Sequence, residues 1–475
     1  AAAGGALAAG ALDLAAWRGE TVSAWLPAGE RVGAAPAGFT VKTGVAHDVK
    51  YAPKPKAAER LVSKDRVVWG SKAEGPQVVQ VQVPADAKSG RYAIGDVTVR
   101  VVDRVLPPAK DWRYYLDLWQ HPWAVARTAG VQPFSKEHYA AMAPLWKLLA
   151  SAGQKALTTT LVDLPWNHQC HDGYGAMVTY VRRADGSTAF DWSLFDEYVA
   201  FGRACGLGPH IACYTMCPWG YLVSWYDEAG KMQKAKAVPG TPFFKEYWGP
   251  FLAAFAAHLK EKGWFEDVYI SLDERSPEDL RNTVEFLREK APGMKIAMAG
   301  NRKPSAFKGI VLDSYSQSLG HVTPDFLAEV PQRQKEGKVT TYYICCGPDW
   351  PNTFMDSELD EAFWCGAYPA MCGLDGLLRW AYNSWPADAC TDATYGGWRA
   401  GDTFLVYPDG SPSARFLSLL NGIQQAEKFN LLKARGERAD ELAALAATYN
   451  LRAALGKKDG DFRALVKQTK DVLNK

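Results

Sequence analysis

The sequence lacks both an excess of charge of one sign and long apolar runs. Its 475 residues carry 54 Lys and Arg against 52 Asp and Glu, a formal net charge of +2. This balance gives no electrostatic reason to expect nucleic acid or an anionic membrane as a partner. No apolar run reaches the ~18 residues that a membrane-spanning helix needs, so we expect no membrane span. No G-x-G-x-x-G or Walker sequence follows an apolar run, which argues against a nucleotide-binding sheet.

Cysteine and histidine patterns also give no metal signature. The nine cysteines are an odd number, so at least one is unpaired within the chain. Cys213 and Cys217 are spaced C-x3-C, but no second Cys/His pair completes a tetrahedral zinc site. We therefore expect no structural metal and no cofactor. The Ala/Gly-rich opening AAAGGALAAG lacks a basic region, and it is compatible with a processed secretion signal or a cloning artefact. From the first alternative we predict a secreted or periplasmic location.

Aromatic residues are what the sequence has in quantity, with 18 Trp, 21 Tyr and 19 Phe. Most of them are expected to fill a large core, because aromatic side chains bury large areas. Others are candidates for stacking on sugar rings, which have apolar C–H faces and polar edges.

Two patterns follow one another along the chain. Residues 12–104 alternate apolar and polar positions between Gly/Pro/Asp turns, which predicts a small β-sandwich. From residue 114 onward, short apolar runs alternate with helical segments. The eight candidate strands are 114–119, 156–162, 208–215, 268–272, 294–299, 309–315, 338–345 and 376–383.

Helical segments follow seven of these strands, a pattern typical of a (β/α)8 barrel. A doubly wound open sheet is the alternative, but it would not predict eight units. We therefore predict an α/β fold with a TIM-like (β/α)8 barrel, an N-terminal β-sandwich and a C-terminal helical extension. The predicted domains are 1–108 for the sandwich, 109–435 for the barrel and 436–475 for the helical appendage.

The carboxyl ends of the strands should meet at one face of such a barrel. Carboxylates, aromatic rings and a few amide or imidazole groups occupy these ends, which suits a neutral, hydroxyl-rich ring as ligand. They are Asp117, Trp119, His121, Asp163, Trp166, His168, His210, Tyr214, Trp219, Asp273, Glu274, Asn301, Asp313, Tyr315, Tyr343, Asp349, Trp350, Trp380, Tyr382, Asn383 and Trp385.

One strand, in the stretch VYISLDER at 268–275, ends on two adjacent acids, Asp273 and Glu274. Strand alternation places Asp273 on the face that points into the barrel. Repulsion between the acids and desolvation both raise a carboxyl pKa, so one acid can stay protonated near neutrality as a general acid. Equally, acids beside Ser276 and Pro277 suit the N-terminus of a helix. The spacing alone favours neither interpretation.

Several longer stretches resemble glycoside hydrolase family 123. They are AWRGE at 16–20, VPADAKSGRY at 83–92, YYLDLWQHPWAVAR at 114–127, LDER at 272–275 and RWAYNSWPADACTDATYGGWRAGDTFLVYP at 379–408. The resemblance implies a β-sandwich followed by a (β/α)8 barrel and an exo-acting, retaining β-N-acetylgalactosaminidase. A terminal β-GalNAc glycan or glycolipid is the implied substrate.

The resemblance also implies roles for the acidic pair. In substrate-assisted hydrolysis the 2-acetamido oxygen of the sugar attacks the anomeric carbon. Asp273 would orient the acetamido N–H and stabilise the oxazolinium intermediate, and Glu274 would act as general acid and base.

Further substrate contacts are assigned by strand-end position and not by a family motif. An acetamido methyl group needs an aromatic wall, and its oxygen needs a hydroxyl donor, for which Tyr315 is the first candidate and Tyr382 the second. The candidates for the wall are Trp350, Trp380, Tyr382 and Trp385, and those for the sugar hydroxyls are Asp163, His210, Asp313 and Asn383.

Alternatives remain open at this point. The enzyme could act on another 2-acetamido sugar, or it could use its own nucleophile, for which Asp163 and Asp313 are candidates. A non-catalytic glycan-binding protein with the same barrel is a third possibility. Against that third possibility, a pure binding protein gains nothing from two acids that repel each other.

Overall fold

The computed structural model describes residues 12–456 and 462–475 of the chain. The opening AAAGGALAAG lies outside these described residues. Spatial proximity divides the chain into two units, of which the first contains Ala1–Tyr114, Asp349–Cys372 and Asp388–Lys475 and the second contains Tyr115–Pro348 and Gly373–Ala387. The predicted consecutive domains, 1–108, 109–435 and 436–475, stay a prediction.

Strands dominate the first hundred described residues. They are β1 (Leu12–Arg18), β2 (Thr21–Leu26), β3 (Thr40–Tyr51), β4 (Leu61–Trp69), β5 (Gln77–Gln82), β6 (Gly90–Ile94) and β7 (Val97–Val105). One sheet has the order β1-β7-β6 and the other the order β2-β5-β3-β4. Apolar residues of both sheets, among them Ala16, Val22, Val79 and Val99, pack into one buried core. This is the predicted β-sandwich.

The following segment alternates strands and helices. Its elements are β8 (Tyr115–Leu118), α1 (Pro122–Ala129), α2 (Lys136–Ser151), β9 (Ala156–Thr160), β10 (Thr179–Arg182), β11 (Thr188–Asp191), α3 (Ser193–Ala204), β12 (His210–Tyr214), β13 (Leu222–Tyr226), β14 (Met232–Lys236), α4 (Pro242–Lys262), β15 (Val268–Leu272), α5 (Pro277–Lys290), β16 (Lys295–Gly300), β17 (Ser314–Ser318), α6 (Pro324–Lys335), β18 (Val339–Ile344), α7 (Leu359–Cys372), β19 (Gly376–Arg379) and α8 (Ala414–Ala434).

Three helices complete the chain: α9 (Ala439–Thr448), α10 (Leu451–Ala454) and α11 (Phe462–Leu473). They confirm the predicted C-terminal helical extension. None of the helices in the described ranges is long and apolar enough to cross a membrane.

Eight parallel strands form one sheet in the second unit, in the order β8-β19-β18-β17-β16-β15-β12-β9. These correspond to the eight predicted strands, and the bounds of β15 agree with the predicted 268–272. The sheet is nearly closed as a barrel, so the predicted fold class is confirmed. A second, four-stranded sheet, β11-β10-β13-β14, is built from the segments after β9 and β12, and the sequence did not predict it.

Glutamine side chains close the barrel between β8 and β9, where a regular backbone ladder is missing. The backbone supplies a Lys155 N–H bond to the Leu116 carbonyl at 2.9 Å. Gln154 then accepts from Leu118 N at 2.9 Å and donates to the Ala156 carbonyl at 2.7 Å. The amide of a buried side chain thus replaces the ladder bonds that the two strands do not exchange.

The helices begin and end on local sequence signals, as α4 illustrates. Thr241 caps α4 by accepting a hydrogen bond from Phe244 N, with Pro242 at the first helical position. Gly263 ends this helix with a φ of 73°, in the left-handed region that glycine adopts without strain. Such signals are encoded by neighbouring residues and need no tertiary context.

Removing the Gln154 amide should weaken the closure of the barrel. We expect Gln154→Ala to lower the free energy of unfolding by about 2 kcal/mol, because it leaves buried backbone groups unpaired. Urea denaturation followed by circular dichroism measures the change. Gln332→Ala, which removes an exposed bond to Glu336 on α6, is the control and should change stability by less than about 0.5 kcal/mol. Equal effects of the two substitutions would contradict this role of Gln154.

Candidate active site

The acidic pair stands where β15 leaves the barrel. All five residues of β15 are buried, and the strand ends at Leu272, directly before Asp273. The N-cap of α5 is Ser276, whose hydroxyl accepts a hydrogen bond from Asp279 N at 3.1 Å. Asp273 and Glu274 precede this cap and do not perform it. Tyr269 and Ser271 line the interior of the barrel, as alternation predicted, which directs Asp273 to its mouth.

Asp273 is the partly buried member of the pair. Burial raises the pKa of its carboxyl group from the usual 3.8 to about 6, and the adjacent charge of Glu274 adds to this effect. Two donors oppose the shift in pKa: the backbone N–H of Glu274, which donates to Oδ1 at 2.8 Å, and the nearby Trp219 indole. The pKa of Asp273 is therefore set by burial and the Glu274 charge, which raise it, and by these two donors, which lower it.

Glu274 has a different environment, although it is the next residue. Its side chain is exposed, and Oε1 accepts a hydrogen bond from the hydroxyl of Tyr343 on β18. Burial and the contact with Glu274 raise the pKa of Tyr343, so the phenol keeps its proton and remains a donor. The two acids are adjacent in sequence, but their carboxyl groups have different surroundings and different hydrogen-bond partners. This difference allows them different chemical roles.

An aromatic cluster lies beside Asp273 at the carboxyl ends of β8, β9 and β12. Trp119 packs on Trp166 with ring centroids 5.0 Å apart and on Tyr214 at 4.6 Å. Trp219 and Trp380 are partly buried against this cluster. Burial raises the pKa of Tyr214, and the charges of Asp117 and Asp273 raise it further. Trp380 is the predicted wall residue that the structure brings to this cluster.

Both predicted hydroxyl donors are already engaged with the backbone. Tyr315 is fully buried on β17 and donates to the carbonyl of Arg302. Tyr382 is fully buried as well, and its hydroxyl donates to the carbonyl of Leu145 on α2 at 2.9 Å. The charge of Glu274 adds to the raised pKa of Tyr315, but the phenol that donates to Glu274 is Tyr343.

Asn383 and Trp385 belong to the framework of the loop after β19. The Asn383 amide exchanges two hydrogen bonds with the backbone of His121, at 2.8 and 3.0 Å. Trp385 is completely buried, and its carbonyl accepts from Arg127. These contacts join the loop after β19 to the loop after β8.

His210 and Asp313 lie at the other end of their strands. His210 is the first residue of β12 and contacts the Tyr115 hydroxyl through Nδ1 at 2.8 Å. Asp313 precedes β17, which begins five residues later than predicted, and its carboxylate accepts from Ile296 N at 2.9 Å. Both were selected as residues at the carboxyl ends of strands, and that placement is wrong, because both lie at the amino ends. The reason for expecting them to contact a sugar is therefore lost.

Two further predicted contacts are held by their own surroundings. Asp163 follows β9 and accepts hydrogen bonds from Ala176 N at 2.8 Å and from the Ser224 hydroxyl at 2.9 Å. It thereby fixes the four-stranded sheet to the barrel strand. Trp350 is partly buried in the first unit, where its carbonyl accepts from Gly456 N at 3.4 Å. A sugar contact of either residue stays a prediction.

Tyr343, Tyr214 and Trp219 are the residues that sequence reasoning left without a role. Each stands at or just beyond the end of a predicted strand, and this position was the only sequence signal for them. It could not distinguish them from the other residues at strand ends. Across the described ranges no group of three or more His, Cys, Asp or Glu side chains is arranged to hold a metal ion.

A parallel eight-stranded barrel with paired carboxylates and an aromatic cluster at its carboxyl ends has the architecture of a (β/α)8 glycoside hydrolase. The family model Glycoside hydrolase 123, catalytic domain, matches residues 119–432. The chain belongs to this family, and it is a glycoside hydrolase.

The chain was also compared with solved structures. A family 123 glycoside hydrolase from Clostridium perfringens, studied for glycolipid glycan hydrolysis, has a TM-score of 0.84 and 22% sequence identity, over 97% of this chain and 92% of that one. A GH10 xylanase with a bacterial Ig-like domain from termite gut has a TM-score of 0.36 and 10% identity, over 87% and 99% of the two chains. No curated protein matches the chain. The first likeness establishes the fold.

Burial of Asp273 should make stability depend on pH. The pKa of about 6 in the folded protein lies above the usual 3.8, so the carboxyl is increasingly unfavourable as pH rises through about 6. We expect Asp273→Asn to raise the free energy of unfolding at pH 8 by about 1 kcal/mol and to leave it unchanged at pH 4. Denaturant titrations at both pH values measure this difference. A stabilisation that is equal at both would contradict the assigned cause.

The phenol of Tyr343 should matter for catalysis more than for folding. We expect Tyr343→Phe to lower kcat on aryl glycosides about tenfold, because Glu274 loses the donor that fixes its carboxylate. Steady-state kinetics measure the effect. Tyr449→Phe, which removes a buried hydroxyl bonded to Thr469 at 2.7 Å, is the matched control and should retain kcat. If both variants kept full activity, Tyr343 would not orient Glu274.

Proposed function

We propose that this glycoside hydrolase is an exo-acting, retaining β-N-acetylgalactosaminidase that uses the 2-acetamido group of its substrate as the nucleophile. The observation that carries the proposal is the acidic pair at the end of β15, in which Asp273 is partly buried and Glu274 is exposed and held by Tyr343. In this proposal the partly buried acid faces the acetamido substituent of the sugar, and the exposed acid faces the leaving group.

In the first step the acetamido oxygen attacks the anomeric carbon while the bond to the leaving oxygen breaks. Glu274 donates its proton to that oxygen, and a positively charged oxazolinium remains. In the second step Glu274 takes a proton from water, which attacks the anomeric carbon and opens the ring. Two inversions at the same carbon give net retention, without a covalent bond to the enzyme.

Asp273 fits the role of the orienting anion. Its carboxylate would accept the acetamido N–H and so aim the carbonyl oxygen at the anomeric carbon. The same negative charge would stabilise the oxazolinium, and the partly buried position strengthens this interaction relative to water. Because the pKa of Asp273 is about 6, the anion predominates above that pH.

The aromatic cluster fits the apolar parts of such a substrate. Trp219 and Trp380 are partly buried against the cluster and would contact the acetamido methyl group and the C–H face of the sugar. The Tyr214 phenol, near Asp273, would be the donor to the acetamido oxygen, the role for which Tyr315 and Tyr382 were the candidates from strand-end position. The hydroxyl groups of Tyr315 and Tyr382 already donate to backbone carbonyls.

A conventional enzyme nucleophile has less support. Both oxygens of Asp163 accept hydrogen bonds from within the protein. Asp313 lies at the amino end of β17, and a catalytic acid in a (β/α)8 barrel stands at the carboxyl ends. The similar enzyme from Clostridium perfringens is described as acting on glycolipid glycans. A terminal β-GalNAc glycan or glycolipid is accordingly the proposed substrate, and a secreted or periplasmic location remains a proposal.

The substrate assignment is tested with aryl β-GalNAc, β-GlcNAc and β-galactoside substrates of the same leaving group. We expect hydrolysis of the β-GalNAc substrate, initial release of the β-anomer by NMR, and inhibition by a GalNAc thiazoline. Equal cleavage of the plain galactoside would overturn substrate assistance. A trapped fluorosugar adduct would favour an enzyme nucleophile, and sugar binding without turnover would favour a binding protein.

Variants of the pair separate the two roles. Glu274→Gln should lose about 100-fold or more in kcat on poor leaving groups and less on activated ones, because only the former need the proton. Asp273→Asn should be impaired on both. Glu278→Gln, which changes an exposed acid in the first turn of α5, is the matched control and should keep full activity. Equal losses of Glu274→Gln on all leaving groups would contradict the assigned roles.

A further inference from the structure

Asp117 is a buried acid that the proposed mechanism does not use. It lies on β8, between Tyr115 and Trp119, and its side chain lines the barrel interior together with Ser271 and Tyr214. This interior cavity has a volume of about 20 Å³, too small for a sugar ring. A sugar bound at the mouth of the barrel would therefore lie above Asp117, without direct contact.

No Lys, Arg or His of residues 12–456 and 462–475 forms an ion pair with Asp117. Its Oδ1 accepts from the Gln154 amide at 3.3 Å, and the Trp119 indole lies close to the carboxyl group. A buried carboxyl without a cation is unfavourable in a purely structural role. Burial raises its pKa to about 7, so it is largely ionised in mildly alkaline solution.

The position of Asp117 relative to the acidic pair follows from strand geometry. Trp119, two residues further along β8, belongs to the aromatic cluster at the mouth, so Asp117 is about 7 Å deeper. Tyr214 lies within electrostatic range of both acids, since the charges of Asp117 and Asp273 each raise its pKa. The titratable groups around Asp117 are Tyr115, His210, Tyr214, Tyr269 and Asp273.

We propose that Asp117 is a further positioning residue of this enzyme, whose carboxylate stabilises positive charge on the sugar bound above it. The effect passes through the Tyr214 phenol and the low-dielectric barrel interior, where a charge acts over several ångströms with little screening. The inference rests on the proposed function, in which the acetamido group becomes an oxazolinium cation. Asp117 then supplies a second anion from below, while Asp273 contacts the group directly.

The test compares two ligands of one shape and different charge. They are a cationic piperidine iminosugar of GalNAc configuration and its uncharged lactam, titrated calorimetrically at pH 7.5. We expect Asp117→Asn to weaken binding of the cation about tenfold and to leave the lactam within about twofold. Asp117→Glu keeps the charge and should keep most of the preference for the cation. Asp117→Ser is a second neutral variant in case the asparagine prevents folding.

The matched control is Asp375→Asn. Asp375 accepts from Thr340 N at 2.7 Å and from Gln334 at 2.9 Å, at the amino end of β19, and its substitution should change neither affinity. If Asp117→Asn lowered the affinity for both ligands equally, the role of Asp117 would be structural. If it changed neither affinity, Asp117 would have no role in binding. Either result overturns the inference. If the unmodified enzyme binds neither ligand and cleaves no β-GalNAc substrate, the proposed function itself fails.

Discussion

Closure of the parallel sheet is the constraint on which the candidate site depends. Backbone ladders connect the strands from β8 through β19 round to β9, and the last gap is bridged by the side chains of Gln154 and Gln120. Once closed, the sheet brings the carboxyl ends of strands that are far apart in sequence to one face. Glu274 on one side and Tyr343 on the other meet there, although they are 69 residues apart.

Desolvation then distinguishes two acids that the covalent chain places side by side. Asp273 continues the inward alternation of β15 and loses part of its hydration, which raises its pKa, whereas Glu274 turns outward and is exposed. A third acid, Asp117, lies deeper in the same barrel and is more fully buried than Asp273. Burial of the acids therefore increases from Glu274 through Asp273 to Asp117, from the barrel mouth inward. The aromatic cluster excludes water beside them.

Much of the framework was predictable because its signals are local. Apolar periodicity located seven of the eight barrel strands closely and placed β17 five residues too early, and caps such as Thr241 and Ser276 fixed the starts of α4 and α5. The four-stranded sheet was not predicted, because short polar strands in loops carry no strong periodic signal. Asp313 was assigned to the wrong end of β17 for the same reason. The apolar run before Asp313 is a loop, and the strand that follows it, SYSQS, is polar.

The sequence by itself determined the order of strands and helices, the position of the acidic pair after β15 and the likeness to family 123. Only the tertiary structure decided which aromatic and polar side chains accompany that pair. Tyr382 and Trp385 look like sugar contacts in the sequence, yet both are fully buried in the framework, while Tyr214 and Tyr343 stand beside the acids. The physical reason is that periodicity and capping depend on adjacent residues. A hydrogen-bond partner or a degree of desolvation, by contrast, depends on which distant strands close against one another.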